Sequence, residues 1–383
     1  MKIIIITDSF KGTMSSRESN QIIFDTIRKK HKDIILSSYL LADGGEGTID
    51  AFNQNESGYH KEEITVTSPN RTRRIKSSYL LRNNECVIES AKSCGLILLK
   101  KGEADPFSTT SYGLGETIKD ALNKGADKFI VGLGGSCVND LGTGMLSGLG
   151  IRYLNAKGEA FLPSGGTLKD IVRIDESGID SRVLSSRFTI MTDVDNPLLG
   201  ENGATYVYAR QKGARLEDLP FFEENMRHLN ALITAAKRRD YSKDKGMGAA
   251  GGLGEAFRAY FDSSIQKGAD TILDKIDFNT LVKEADLVIT GEGHIDKSTL
   301  FGKGVIAIAK YSKINKVAVL AIGGKIDFTQ EETLKENGIT YLLPLSNKSD
   351  DIENLKKHAK EDLRDTLMRF IDEHPDIFDK ERK

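Results

Sequence analysis

Residues Lys2–Gly47 read KIIIITDSFKGTMSSRESNQIIFDTIRKKHKDIILSSYLLADGGEG, and their pattern decides the fold class. A short apolar run, KIIIIT, precedes a stretch with helical spacing, SSRESNQIIFDTIRKKH, and a second apolar run, DIILSSYLL, follows. Short β-rich runs read as strands and 3.6-residue recurrence reads as a helix. Ser15 stands three residues before Glu18, the spacing of a capping box that starts a helix. GEGTIDAFNQN then begins a second helix. A βαβα opening of this kind specifies a parallel sheet.

The same alternation returns near the C-terminus. ADLVITGEGHID, residues 285–296, repeats the earlier pattern of an apolar run closed by glycines and acids. Strands DLVITG, VAVLAIGG and TYLLPL alternate with helices GVIAIAKYS, TQEETLKENG and IENLKKHAKEDLRDTLMRFIDEH. Three strands here and two at the start suit a flavodoxin-like, doubly wound α/β domain over residues 1–60 and 285–383. Residues 61–284 then form an inserted, mixed α+β domain. Within it, EEITVTSP reads as a strand, and RRIKSSYLL and ECVIESA as a hairpin around Arg82-Asn83-Asn84. A helix follows with Leu114, Ile118, Ala121 and Leu122 on one face, then strands at KFIVGL, RFTIMT and ATYVYA. The helix FFEENMRHLNALITAAKRR carries alternating charges suited to a solvated face.

Ligands of open parallel sheets bind beyond the carboxyl ends of the strands. The loops TDSFKG, ADGGEG and TGEGHID are therefore expected on one rim, with Asp43 and Glu46 facing the insert across a cleft.

Composition limits the partners. The 383 residues carry 54 basic and 56 acidic side chains, a net charge of -2, which excludes the footprint of a nucleic-acid or anionic-membrane binder. Cys86, Cys94 and Cys137 show no CxxC spacing, so neither a disulfide framework nor a structural zinc site is expected. The N-terminal apolar run is cut short by Asp8, and no run approaches the roughly 20 residues of a membrane span. These features point to a cytoplasmic protein. Its 37 glycines exceed the usual share and are clustered, which marks loops with demanding geometry.

The common nucleotide signatures fail their context. Gly246, Gly248 and Gly251 match G-x-G-x-x-G, but the preceding YSKDK is no strand, and Gly302-Lys303 lacks the rest of a Walker motif. GLGGSCVND, Gly132 to Asp140, is either a tight turn or an anion cradle between a strand and a helix N-terminus. Lys11 beside Asp8 is either a phosphate-contacting cation with its carboxylate or a surface ion pair. Asp193 and Asp195 at a strand end suit Mg²⁺, a general base, or an ordinary turn before Pro197. Arg210 and Lys212 either hold anions or decorate a loop. Of the six histidines, only His294 lies in a glycine-acid loop, and neither H-E-x-x-H nor G-x-S-x-G occurs.

Taken in order, DSFKGT, LADGGEGT, VIESAKSCGL, TTSYGLGETI, GLGGSCVNDLGTGM, TDVDNPLLG, RQKGA, GMGAAGGLG and ADLVITGEGHIDKSTLFGK resemble the bacterial glycerate kinase family over nearly the whole chain. That resemblance implies Mg²⁺-assisted transfer of phosphate from ATP to D-glycerate, with the 2-phospho product favoured over the 3-phospho product. A homodimer, another small hydroxy acid as substrate, or an anion-binding sensor stays open, and the balanced charge points to no nucleic-acid or membrane partner. Phosphoryl transfer asks a protein chiefly to position reactants and to stabilise charge. The candidate catalytic groups are Asp8, Lys11 and Asp193, and the candidate Mg²⁺ ligands are Asp43 and Asp193. Substrate or phosphate contacts are expected from Ser9, Asp43, Gly44, Gly45, Glu46, Gly134, Gly135, Ser136, Asn139, Asp140, Arg210, Lys212, Gly291, Glu292, Gly293 and Asp296. The chain departs from the family pattern at Cys137-Val138, Leu141, Thr192, Ser298 and near Val305.

Overall fold

A computed structural model describes residues 1–10, 12–301, 304–345 and 352–378. The chain begins with β1 (Lys2–Ile5), α1 (Ser16–Lys30), β2 (Ile35–Ser38) and α2 (Thr48–Asn55). The capping box of α1 is formed: Ser15 Oγ accepts from Glu18 N–H, and Glu18 accepts from Ser15 N–H. The strands β3 (His60–Thr67), β4 (Arg74–Arg82), β5 (Glu85–Glu89), β6 (Lys128–Gly132), β7 (Arg152–Leu154), β8 (Ala160–Phe161), β9 (Arg173–Asp175), β10 (Arg187–Met191) and β11 (Asp262–Gln266) come next. Then β12 (Leu287–Ile295), β13 (Ala318–Ile326) and β14 (Tyr341–Pro344) close the series.

Two compact units result. The first comprises Met1–Asp43, Asp50–Ser57 and Gly268–Lys383; the second comprises Gly44–Ile49 and Gly58–Lys267. Residues 268–284, which the sequence pattern assigned to the insert, form the helices Gly268–Lys275 and Phe278–Lys283 of the first unit. Their buried Ala269, Ile272, Phe278 and Val282 explain why they stay there.

In the first unit five parallel strands stand in the order β14-β13-β12-β1-β2. Alternate residues of β13 serve opposite faces. Leu320 and Ile322 join Ile3, Ile5, Ile23, Ile27, Leu363 and Leu367 under α1 and the helix Ile352–Glu373, whereas Ala321 joins Val305, Ile306 and Leu334 on the other side. Each such buried Leu, Ile or Val side chain contributes about 1.5–3 kcal/mol. With helices on both faces, the sheet is parallel because every connection is a crossover.

The second unit holds a six-stranded sheet in the order β11-β10-β6-β5-β4-β3, and a small antiparallel sheet β8-β7-β9. Pairing is antiparallel from β3 to β5 and parallel from β5 to β11. Two sequence assignments change here. ATYVYA is not a strand: Ala204–Tyr208 is helical, with Ala204 and Thr205 buried. TGEGHID is not a loop, because β12 runs on through Gly291–Gly293 and pairs with β13, Glu292 opposite Gly323.

Candidate active site

In the first unit the chain leaves β1 for β2 on one side, and later β12, β13 and β14 build on the other. The direction of winding reverses between β1 and β12, the place where open α/β sheets bind ligands. Asp8 and Gly291 meet at this switch. Asp8 N–H donates to Gly291 O at 2.8 Å, and the Asp8 carboxylate accepts from Ser9 N–H at 2.6 Å. Gly291 also lies close against β13, where a Cβ would stand 2.5 Å from Ile322 O. Glu292 is buried and accepts from Thr299 Oγ1 at 2.7 Å. Asp296 caps the turn beyond, accepting from Ser298 N–H at 2.7 Å, and lies 3.5 Å from His294 Nδ1. Asp43, half-buried, ends the segment that follows β2. Lys11 lies outside the described residues.

The second unit has its own rim. Glu89, Gly132, Met191 and Gln266 stand in one row across β5, β6, β10 and β11, so the residues after each leave the sheet on the same edge. Gly44 and Gly45 rest on this edge: Gly134 N–H donates to Gly44 O at 3.0 Å. The approach demands glycine on both sides. A Cβ on Gly132 would stand 2.3 Å from Gly44 O, one on Gly134 2.4 Å from Gly45 Cα, and one on Gly44 2.5 Å from Met191 O. Gly44 also has φ +86°, a left-handed backbone that other residues resist. Glu89 fixes the far end of the same loop by accepting from Ile49 N–H at 2.7 Å. Glu46 in the same loop is exposed.

Next to that loop, the GLGGS turn leaves donors unspent. Leu133 N–H goes to Met191 O and Cys137 N–H to Cys94 O, whereas the N–H groups of Gly135 and Ser136 and the Ser136 hydroxyl meet no acceptor among the described residues. Gly135 is exposed with φ +74°. Consecutive N–H groups around a left-handed glycine form a concavity suited to an anion. The helix expected directly after this turn begins only at Thr143, so the cradle is made by the turn alone.

On the neighbouring strand end stands Asp193, half-buried, followed by the more exposed Asp195. Lys267, the residue after β11, donates to Asp193 O at 3.2 Å and to Asp195 Oδ1 at 3.0 Å, and Lys245 lies 3.4 Å from Asp195 Oδ2. Burial works to raise the Asp195 carboxyl, but the Lys267 hydrogen bond and the two ammonium charges outweigh it and hold the group below its ordinary value. The sequence pattern did not single out Lys267. Its place beside Asp193 follows from the β10–β11 pairing, and β11 itself, DSSIQ, carries only one aliphatic side chain as a signal.

Other predicted contacts lie inside the second unit. Asp140 is fully buried and accepts from Ser111 N–H, Ser111 Oγ, Gly142 N–H and Gly144 N–H at 2.8–3.2 Å. Burial raises its carboxyl, and these donors oppose the rise. Lys212, 2 % exposed, turns its ammonium onto Val138 O at 2.7 Å, and burial lowers it to about 8. Asn139 is buried near Thr205, its Nδ2 3.5 Å from Thr205 Oγ1. Arg210 is exposed at the start of the turn Arg210–Lys212.

No group of three or more His, Cys, Asp or Glu side chains is gathered for a metal among the described residues. Mg²⁺ carried on phosphates needs only one or two protein carboxylates, and the hard oxygens of Asp43 and Asp193 suit that ion. No helix among the described residues is long and apolar enough to cross a membrane.

An open parallel sheet with carboxylates at its switch point, joined in one chain to a second sheet whose rim bears unengaged main-chain donors, is an α/β arrangement suited to small anionic ligands. The glycerate kinase family model matches residues 3–373. A glycerate kinase of Bacillus cereus is 37% identical over 97% of both chains, and the glycerate 2-kinase of Escherichia coli is 35% identical over 85% of this chain and 86% of its own. A crystal structure assigned as glycerate kinase 2 of Salmonella typhimurium LT2 superposes with a TM-score of 0.83 at 33% identity, covering 97% of each chain. The chain belongs to the glycerate kinase family.

Proposed function

We propose that the chain transfers the terminal phosphoryl group of ATP to the 2-hydroxyl of D-glycerate, yielding 2-phospho-D-glycerate. The observation that carries this reading is the pair of unengaged N–H groups at Gly135 and Ser136, on the rim that also bears Asp193 and Lys267. Family membership supplies the reaction class, and the relative named glycerate 2-kinase favours the 2-position. In this reading the Gly134–Ser136 cradle holds phosphate oxygens through main-chain donors, and Lys267 offsets charge beside Asp193. Asp193 and Asp8 are the candidate acceptors of the substrate hydroxyl proton. The glycerate carboxylate calls for a cation, with Arg210 the candidate. Mg²⁺ bound with the nucleotide would neutralise charge on the phosphates, and Asp43 or Asp193 would hold it. Glu46, Ser9 and Gly291–Gly293 complete the proposed substrate contacts.

We read the first unit as a flavodoxin-like domain, in keeping with its strand order, and the second as its insert. A reducing, cytoplasmic setting accords with three free, buried cysteines. The departures from the family pattern at Cys137, Val138, Leu141, Thr192 and Val305 are buried and bear on packing, whereas Ser298 is exposed and bonds Asp296, so a hydroxy-acid panel decides the acceptor.

ADP release from Mg-ATP in the presence of a hydroxy-acid panel, with phosphorus NMR of the product, tests the proposal. Release with D-glycerate and a 2-phosphate resonance are expected; no release with any acid overturns the kinase reading. Asp193→Asn should lower kcat by about 10²–10⁴ with the fold retained, and near-normal turnover would remove Asp193 from the mechanism.

A further inference from the structure

We infer that Asn20 and Ser16 of α1 are positioning residues that set the strand ends bearing Asp8 and Asp43. The inference rests on the reading of those two carboxylates as parts of the phosphoryl-transfer site.

Thr7, the residue before Asp8, is wholly buried, and its polar atoms are engaged from α1. Its N–H donates to Asn20 Oδ1 at 3.0 Å, and its hydroxyl lies 2.8 Å from the same oxygen and 2.7 Å from Ser19 Oγ. Its carbonyl accepts from Ser16 Oγ at 2.5 Å. The same two side chains reach the other strand. Asn20 Nδ2 donates to Tyr39 O at 2.7 Å, and Ser16 Oγ accepts from Leu41 N–H at 3.4 Å.

These bonds begin where the ladder stops. Ile5 and Ser38 are the last paired residues of β1 and β2, and Tyr39 N–H to Ile5 O is the last main-chain bond between them among the described residues. Beyond it, among the described residues, the main chain at residue 7 is tied to residues 39 and 41 through Asn20 and Ser16. On the opposite side, Asp8 N–H is tied to Gly291 O. The segment that presents Asp8 is thus held from two sides, one by backbone and one by helix side chains.

Helix initiation does not account for these side chains. Ser15 and Glu18 already cap α1, and Ser and Asn inside a helix compete with its own backbone. Ser16, Ser19 and Asn20 are 8 %, 0 % and 1 % exposed, so water cannot readily replace the bonds they make. A purely packing role would be filled better by apolar residues, as Ile23 and Ile27 fill it one and two turns later.

The test compares the full-length chain with Asn20→Ala, Ser16→Ala, Thr7→Val and Thr7→Ser, measuring kcat, KM for glycerate and thermal melting. Misplacing a reacting group by about 1 Å can cost a hundredfold, so Asn20→Ala and Thr7→Val are expected to lower kcat about tenfold to a hundredfold. KM should move less, at temperatures where each variant remains folded. Thr7→Ser, which keeps the hydroxyl, should restore most of what Thr7→Val loses. Should Asn20→Ala fail to fold, Thr7→Val and Ser16→Ala decide the matter. Variants that melt earlier yet keep the parent kcat while folded overturn the inference and leave the kinase reading standing. A parent chain with no phosphoryl transfer overturns both, and is recognised before any variant is made.

Discussion

Glu255 occupies the first turn of the helix Leu253–Tyr260, wholly buried, with neither carboxylate oxygen hydrogen-bonded among the described residues. Burial, reinforced by the charges of Asp240 and Asp244, pushes its carboxyl from 4.5 up to about 8. Between those values the folded chain keeps a proton that the unfolded chain has lost, so stability falls as pH rises and reaches its low plateau above about 8. The slope approaches roughly 1.4 kcal/mol per pH unit. Glu255→Gln should therefore raise the melting temperature at pH 8.5 and change it little at pH 4.5; equal shifts at both would show that the carboxyl is not buried in its neutral form. Neither this residue nor the inward turn of Lys212 was legible in the sequence. GLGE and RQKGA look like loop chemistry, and only the packing of distant segments removes them from water. Asp193 was legible beyond the end of a strand because the apolar run before it is short and clearly bounded, whereas β2 stops at Ser38, well before Asp43.

Among the elements, the Gly44–Ile49 loop shows most directly why two glycine-rich motifs occur in one chain. ADGGEG and GLGGS are far apart in sequence, yet the main chains of Gly44 and Gly134 share a hydrogen bond and leave no room for a Cβ. Gly134→Ala would place its methyl 2.4 Å from Gly45 Cα and 2.9 Å from Gly45 N, both backbone atoms. Overpacking of this kind costs about 1–3 kcal/mol, and the loop is expected to yield before the sheet does. The variant should lose turnover together with hydrogen-exchange protection at residues 44–49, and unchanged exchange there would contradict the docking argument. Alternation of apolar runs and helical spacing made β1, β2, β12, β13 and β14 legible. β-Branched and aromatic residues in ATYVYA mislead toward a strand, whereas tertiary burial of Ala204 and Thr205 makes it a helix. Glycines at 291 and 293 suggest a loop, yet β12 continues through them, and a Cβ on Gly291 would stand 2.5 Å from Ile322 O of β13.

At the scale of the whole molecule, each unit is stitched from separate stretches of chain, three in the first and two in the second. β1 becomes an interior strand only when β12 arrives, for Ile3 pairs with Leu287. A chain ending at Lys267 lacks β12, β13 and β14, and should accumulate in the insoluble fraction, while extension to residue 378 should return it to solution; a soluble, monomeric short form would show that β1 and β2 need no such partner.

That separation has a consequence for biosynthesis. At about 5–20 residues per second, a ribosome takes roughly 15–60 s to travel from β1 to β12. Throughout that interval the nascent KIIII segment has an open flank on its β12 side, an apolar edge of the kind that templates association with other chains. The second unit's contiguous stretch, Gly58–Lys267, can meanwhile emerge and pack. The order of synthesis therefore makes the earliest-made strand one of the last to be completed, and its shelter in the interim becomes a task for the cell's chaperones.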